Sequence, residues 1–126
     1  MHIDEQRDGD VSILTIVGEI DARTLPDAQA KLEELFKTMR SKFVFNFAST
    51  ELVTSTGISF LIDAAKRARA LGGDAVLCNP PRLLVQSLKM LRIGDHFETF
   101  PDDERAVWHF RDRDLDDTHV PDEDQP

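Results

Sequence analysis

Apolar residues change their spacing several times along the chain, and each change predicts an element. Val11-Ser12-Ile13-Leu14-Thr15-Ile16-Val17 is a nearly unbroken β-branched and aliphatic run, the pattern of a strand covered on both faces. Asp8-Gly9-Asp10 ahead of it carries a strong turn signal, so Ile3 to Arg7 reads as its hairpin partner. From Leu25 the spacing becomes helical. Leu25, Ala28, Leu32, Leu35, Phe36 and Met39 share one stripe, which predicts a helix with that face in the core. Thr24 stands as its N-cap, with Pro26 in the first turn and Asp27 at the capping-box position.

Phe43, Phe45 and Phe47 then alternate with Val44 and Asn46, a strand with one aromatic face. Helical spacing returns from about Ser55 to Leu71, with Ile58, Leu61, Ile62, Ala65 and Ala68 on one stripe and Gly72-Gly73 as the stop. Ala75 to Cys78 is a short buried strand. Asn79-Pro80-Pro81 leads into a helix carrying Leu84, Leu88 and Leu91, which Gly94 ends. Phe97 to Phe100 reads as a last strand. Asp102-Asp103-Glu104 opens a terminal helix that contacts the core through Ala106, Val107 and Phe110, its early acids matching the helix dipole. The predicted order is ββαβαβαβα. Strands separated by helices favour an α/β fold, a sheet with parallel neighbours and helical cover, whose functional edge lies beyond the carboxyl ends of the strands.

Composition narrows the class. A chain of 126 residues, 40% hydrophobic and 31% charged, suits one soluble domain with a real core. No apolar run approaches a membrane span, so membrane insertion is not expected, and the acidic MHIDEQRDGD start does not read as a signal peptide. Cys78 is the single cysteine, which excludes a disulfide framework or thiolate cluster and points to a reducing, cytoplasmic setting. The net charge of −9 is concentrated at one end: residues 1–100 hold 12 Lys/Arg against 14 Asp/Glu, residues 101–126 hold 3 against 10. A near-neutral body makes nucleic acid an unattractive partner. Residues 112–126, acidic and poor in apolar side chains, are expected to form a disordered tail behind a domain spanning 1–111.

The unusual stretch is Leu52-Val53-Thr54-Ser55-Thr56-Gly57-Ile58, three hydroxyls and a glycine between strand and helix. One hydroxyl is accounted for as a helix cap, worth ~1 kcal/mol; three exceed what a cap requires. Ser55 as a hydrolytic nucleophile would need glycines two residues to either side. Val53 occupies the first of these positions, so half the elbow motif is missing. No phosphate-cradling glycine motif and no HExxH occur, no cofactor is implied, and the four histidines (His2, His96, His109, His119) read as surface residues. A phosphate on Ser55 would meet the positive end of the helix dipole and free N–H groups, so a modified form would remain folded.

Three elements in unbroken order carry a resemblance: Gly18-Glu19-Ile20-Asp21 after the buried strand, Phe43-Val44-Phe45-Asn46-Phe47, and Thr54-Ser55-Thr56-Gly57-Ile58 running into a helix that ends at Gly-Gly. The set resembles the STAS domain of bacterial anti-sigma factor antagonists. The resemblance implies a single STAS-type domain, a mixed central sheet with helices packed mainly on one side. It implies a protein switch rather than an enzyme, with no metal or cofactor. The partner would be an anti-sigma factor with serine-kinase activity, and a PP2C-type phosphatase would reset the switch. By position the phosphoacceptor is Ser55, with Thr56 second. The partner-binding edge would comprise Asp21, Thr54, Ser55, Thr56, Gly57 and Ile58. The sequence departs from the family at Thr54, where the pattern has an acidic residue. The second reading the resemblance allows is a STAS adaptor without a phosphate cycle, in a signalling or lipid-transport complex.

Overall fold

The computed structural model describes residues 1–118, with side chains described through Asp112; the tail beyond Thr118 lies outside the described residues. The strands are β1 (His2–Asp8), β2 (Val11–Ile20), β3 (Lys42–Asn46), β4 (Thr50–Val53), β5 (Asp74–Cys78) and β6 (Thr99–Phe100). The helices are α1 (Leu25–Lys37), α2 (Ser55–Ala70), α3 (Arg82–Met90) and α4 (Asp103–Thr118), with a 3₁₀ turn at Gly94–His96. The sheet runs β1-β2-β3-β5-β6, antiparallel between β1 and β2 and parallel elsewhere.

The two sheet faces carry different covers. Leu14, Ile16, Phe43, Phe45 and Leu77 pack under α1, α2 and α3, where Phe36 meets Phe43 edge-on at 5.4 Å and Phe60 meets Phe45 at 6.2 Å. Val11, Ile13, Val44, Val76 and Cys78 face the other way, beneath Ala106, Val107 and Phe110 of α4. The three-to-one division of helices is why β2 and β3 are apolar on both faces.

Strand β4 is not foreseen by the periodicity. Its TELV sequence is exposed in the middle and pairs only with the far end of β2, Gly18–Ile20, where a bulge sits between Gly18 and Glu19. Gly18 has φ +102°, a conformation that favours glycine. β2 therefore runs to Ile20 rather than Val17: its first half pairs with β3 and its last residues with β4.

Helix ends also differ from expectation. The Thr24–Asp27 capping box is not formed: Thr24 has helical dihedrals and makes no side-chain cap. Met39, placed in the core by its spacing, is 84% exposed with φ +66°, in the left-handed position just past the end of α1. α3 ends at Met90, and Arg92 (φ +58°), not Gly94, takes the left-handed turn while the Ile93 N–H returns to the Leu88 carbonyl at 3.0 Å. Leu91 is consequently exposed. Gly72 does terminate α2 (φ +86°), and Gly73 lies so close to the Ser41 carbonyl that a Cβ would fall 1.8 Å from it. α4 starts where its acids predict, with Asp102 accepting from the Arg105 N–H at 2.8 Å. It continues to Thr118, seven residues past Arg111. His109 is not a surface residue: only 17% of its side chain is exposed, against the Phe100 and Phe110 rings and 3.0 Å from Glu98.

Candidate functional site

The hydroxyl stretch sits where β4 passes into α2, beyond the carboxyl end of the paired segment Ile20–Val53. Thr54 is the N-cap residue in extended conformation (φ −81°, ψ 176°), and Ser55 is the first helical residue. The Thr54 N–H donates to the Ile20 carbonyl at 3.0 Å, and its Oγ1 donates to the same oxygen at 3.2 Å. Thr54 thus ties the start of α2 back to β2 and leaves the helix without a side-chain cap. The expectation that one of the three hydroxyls caps the helix is not met.

Ser55 is exposed, and among the described residues no group hydrogen-bonds its hydroxyl. Thr56 is half-buried, while Gly57 and Ile58 are buried. The last two therefore offer a partner no side-chain surface and instead support the edge from beneath. A Cβ on Gly57 would come within 2.9 Å of the Ile20 carbonyl oxygen, Ile20 Cγ2 and Val53 Cγ1, so only glycine lets the helix sit this close to β2. The N–H groups of Ser55, Thr56 and Gly57 lack an intrahelical acceptor, since the first N–H to find one is that of Ile58, which donates to the Thr54 carbonyl at 2.9 Å. No acidic side chain occupies the first turn of α2. The geometry offers an open hydroxyl on a helix end that favours negative charge.

Asp21 follows Ile20 directly, which brings its loop beside the α2 start. Its carboxylate is already engaged. Oδ1 accepts the N–H groups of Arg23 at 2.9 Å and Thr24 at 3.1 Å, and Oδ2 pairs with the Arg23 guanidinium at 3.1 Å. The Arg23 hydrogen bond holds the Asp21 carboxyl below its ordinary value, with the backbone donors assisting. Thr24 Oγ1 completes the turn by accepting from the Asp21 N–H at 3.0 Å and donating to the Glu19 carbonyl at 2.8 Å. The Asp21 side chain is 17% exposed and that of Arg23 is 79% exposed. Sequence reasoning named Asp21 and did not weigh its ion-pair partner Arg23, whose signal lies in Asp21-Ala22-Arg23, opposite charges two residues apart in a turn.

Among the described residues, no group of three His, Cys, Asp or Glu side chains is arranged to hold a metal, and no helix is long and apolar enough to cross a membrane. Cys78 is fully buried, and burial pushes its thiol up to about 12.

Comparison with known proteins follows the same lines. The anti-sigma factor antagonist SpoIIAA in its unphosphorylated form superposes with a TM-score of 0.71 at 16% identity, covering 86% of this chain and 97% of its own. The phosphorylated form of SpoIIAA from Bacillus gives 0.66 at 16% identity, over 82% of this chain and 95% of that one. An anti-sigma factor antagonist from Mycobacterium paratuberculosis gives 0.77, again at 16% identity, over 86% and 92%. At this identity the likeness is one of fold. No curated relative matches in sequence. The STAS domain family pattern matches residues 2–106, which span the whole sheet, the first three helices and the start of α4. The chain belongs to the STAS domain family.

Proposed function

We propose that the chain is an anti-sigma factor antagonist, a partner-switching protein controlled by phosphorylation at Ser55. The observation that carries the reading is the Ser55 hydroxyl itself, exposed and unbonded on the first residue of α2. A hydroxyl spent on capping would cost stability when modified; this one is free. A phosphate there would lie at the positive helix end beside unpaired N–H groups, so the fold would tolerate it. The same charge would disrupt a partner surface that fits the neutral edge. The partner is then an anti-sigma factor with serine-kinase activity, which supplies ATP and the catalytic base, and a PP2C-type phosphatase removes the phosphate. In this reading the protein binds and is modified in the cytoplasm and catalyses nothing itself. Asp21 shapes the neighbouring turn, and Arg23, the exposed member of that pair, meets the partner. Thr56 is the secondary acceptor.

A second reading, a STAS adaptor without a phosphate cycle, is favoured by one observation: Thr54 stands where the family pattern is acidic, and its hydroxyl is turned to Ile20 rather than to Ser55. Incubation with the cognate kinase and ATP, followed by mass mapping, separates the two. The switch reading expects label on Ser55, its loss in Ser55→Ala with partner binding kept, and weakened binding in Ser55→Asp. Tight partner binding with no label on any residue would establish the adaptor instead.

A further inference from the structure

Trp108 is the single tryptophan of the chain and is 60% exposed on α4. The helix already buries its other face through Ala106, Val107 and Phe110, so core packing does not account for the indole. A hollow of about 420 Å³ lies beside it, bounded by Asp8 of the hairpin and by Glu104, Arg105, Val107 and Arg111 of α4. Trp108 also lies past residue 106, where the family match ends, and on the sheet face opposite α2. It therefore belongs neither to the shared STAS pattern nor to the Ser55 edge.

The charges around it specify an occupant. Glu104 and Asp112 stand four residues before and after Trp108, which places acid, indole and acid on one stripe of the helix. Both are exposed, and among the described residues neither has an ion-pair partner. Of the two arginines nearby, Arg111 is in direct contact with Asp8, and Arg105 lies 3.9 Å from Asp102 in a loose, exposed pair. Residues 101–112 carry 2 basic against 4 acidic side chains, and the remaining residues 113–126 are acidic in turn. That excess repels nucleic acid, anionic lipid, the acidic tail and the same helix of a second copy. It attracts a cation, and an indole face between carboxylates is a favourable seat for one.

We propose that α4 is a second docking surface, centred on Trp108, for a basic segment of a partner protein, with a lysine or arginine of that segment seated over the indole between Glu104 and Asp112. Charge would guide the encounter, and the aromatic contact would supply the anchor. The surface would let the domain hold one protein while its opposite layer switches another.

The lone tryptophan makes the test direct. The 126-residue chain is titrated at physiological salt with a short Arg/Lys-rich peptide and with an acidic peptide of equal length. Trp108 emission is followed, with affinity measured by anisotropy of labelled peptide. The proposal expects a saturable response to the basic peptide alone. Trp108→Ala, which leaves net charge unchanged, should weaken binding at least about five-fold. The double variant Glu104→Gln/Asp112→Asn should weaken it further with a flatter salt dependence, and Ser55→Asp should leave it unaltered. Thermal melts of each variant guard against unfolding, which an exposed side chain gives no reason to expect. Equal affinity in Trp108→Ala would overturn the proposal in favour of bulk charge, and so would absence of saturable binding. Concentration-dependent self-association abolished by Trp108→Ala would overturn it too, by showing that a second copy covers the face.

Discussion

Replacing Gly57 by alanine adds one methyl group at the point where α2 meets β2, and the surrounding atoms decide whether it fits. The new carbon would lie 2.9 Å from Ile20 Cγ2, 2.9 Å from Val53 Cγ1 and 2.9 Å from the Ile20 carbonyl oxygen. Two of these neighbours are side-chain ends that can rotate. The third is backbone, and it already accepts the Thr54 N–H at 3.0 Å and the Thr54 hydroxyl at 3.2 Å, so moving it breaks both bonds. Overpacking of this kind costs about 1–3 kcal/mol. Against it stands the better helix propensity of alanine, about 1 kcal/mol in a helix interior and less in a first turn. The clash wins, leaving a net loss of about 1–2 kcal/mol. For a domain of this size that lowers Tm by roughly 4–8 °C. Thermal unfolding followed by circular dichroism measures the loss, and faster hydrogen exchange at the Thr54 amide would locate it at the α2 start. A Gly57→Ala protein melting at or above the wild-type temperature would refute the reasoning, because the helix would then have room that the geometry denies it.

Other expectations test the neighbouring residues. Asp21→Ala should lower Tm, and Asp21→Asn should lower it by less, because the amide oxygen can still accept the Arg23 and Thr24 N–H groups while the charge pairing with the Arg23 guanidinium is lost. The depressed Asp21 carboxyl contributes its stability above the ordinary value of 3.8 and loses it as pH falls through the lower folded-state value, so the wild-type advantage over Asp21→Ala should narrow only in strong acid. Thr54→Asp gains about 0.3–1 kcal/mol from the helix dipole. It also loses the hydroxyl bond to Ile20, worth about 1 kcal/mol, so Tm should hardly change. Any rise in the initial rate of Ser55 phosphorylation would then report the added carboxylate itself; an unchanged or slower rate would show that the kinase does not use it. Cys78 should resist thiol reagents near neutral pH until the protein is unfolded, since it is fully buried with its thiol raised to about 12; rapid native labelling would contradict its placement under α4.

Much of the fold was legible in local pattern. The Asp8-Gly9 turn, the unbroken apolar run of β2, the alternating phenylalanines of β3 and the start of α2 at Ser55 each follow from spacing within a few residues. Such signals survive because burial of one or both faces constrains every second, or every third and fourth, side chain. The acids and Gly-Gly at helix ends were read correctly where a side chain or a left-handed glycine does the work, as at Asp102 and Gly72. They were misread where the backbone closes the helix with an ordinary residue, as at Met39 and Arg92.

What only the tertiary structure decided concerns pairing between distant backbone atoms. β4 carries no periodic pattern because its middle is exposed and its pairing partner is the last turnless stretch of β2, more than thirty residues upstream by the Thr50–Gly18 register. Backbone N–H and carbonyl groups are the same in every residue, so that pairing leaves little trace in side-chain chemistry. Yet it governs the site. The Ile20 carbonyl claims the Thr54 hydroxyl, Gly57 lets α2 close on Ile20, and Asp21 turns inward on Arg23. The sequence placed three hydroxyls at one helix start; a single carbonyl oxygen from β2 decided that Thr54 would be tied down and Ser55 left free.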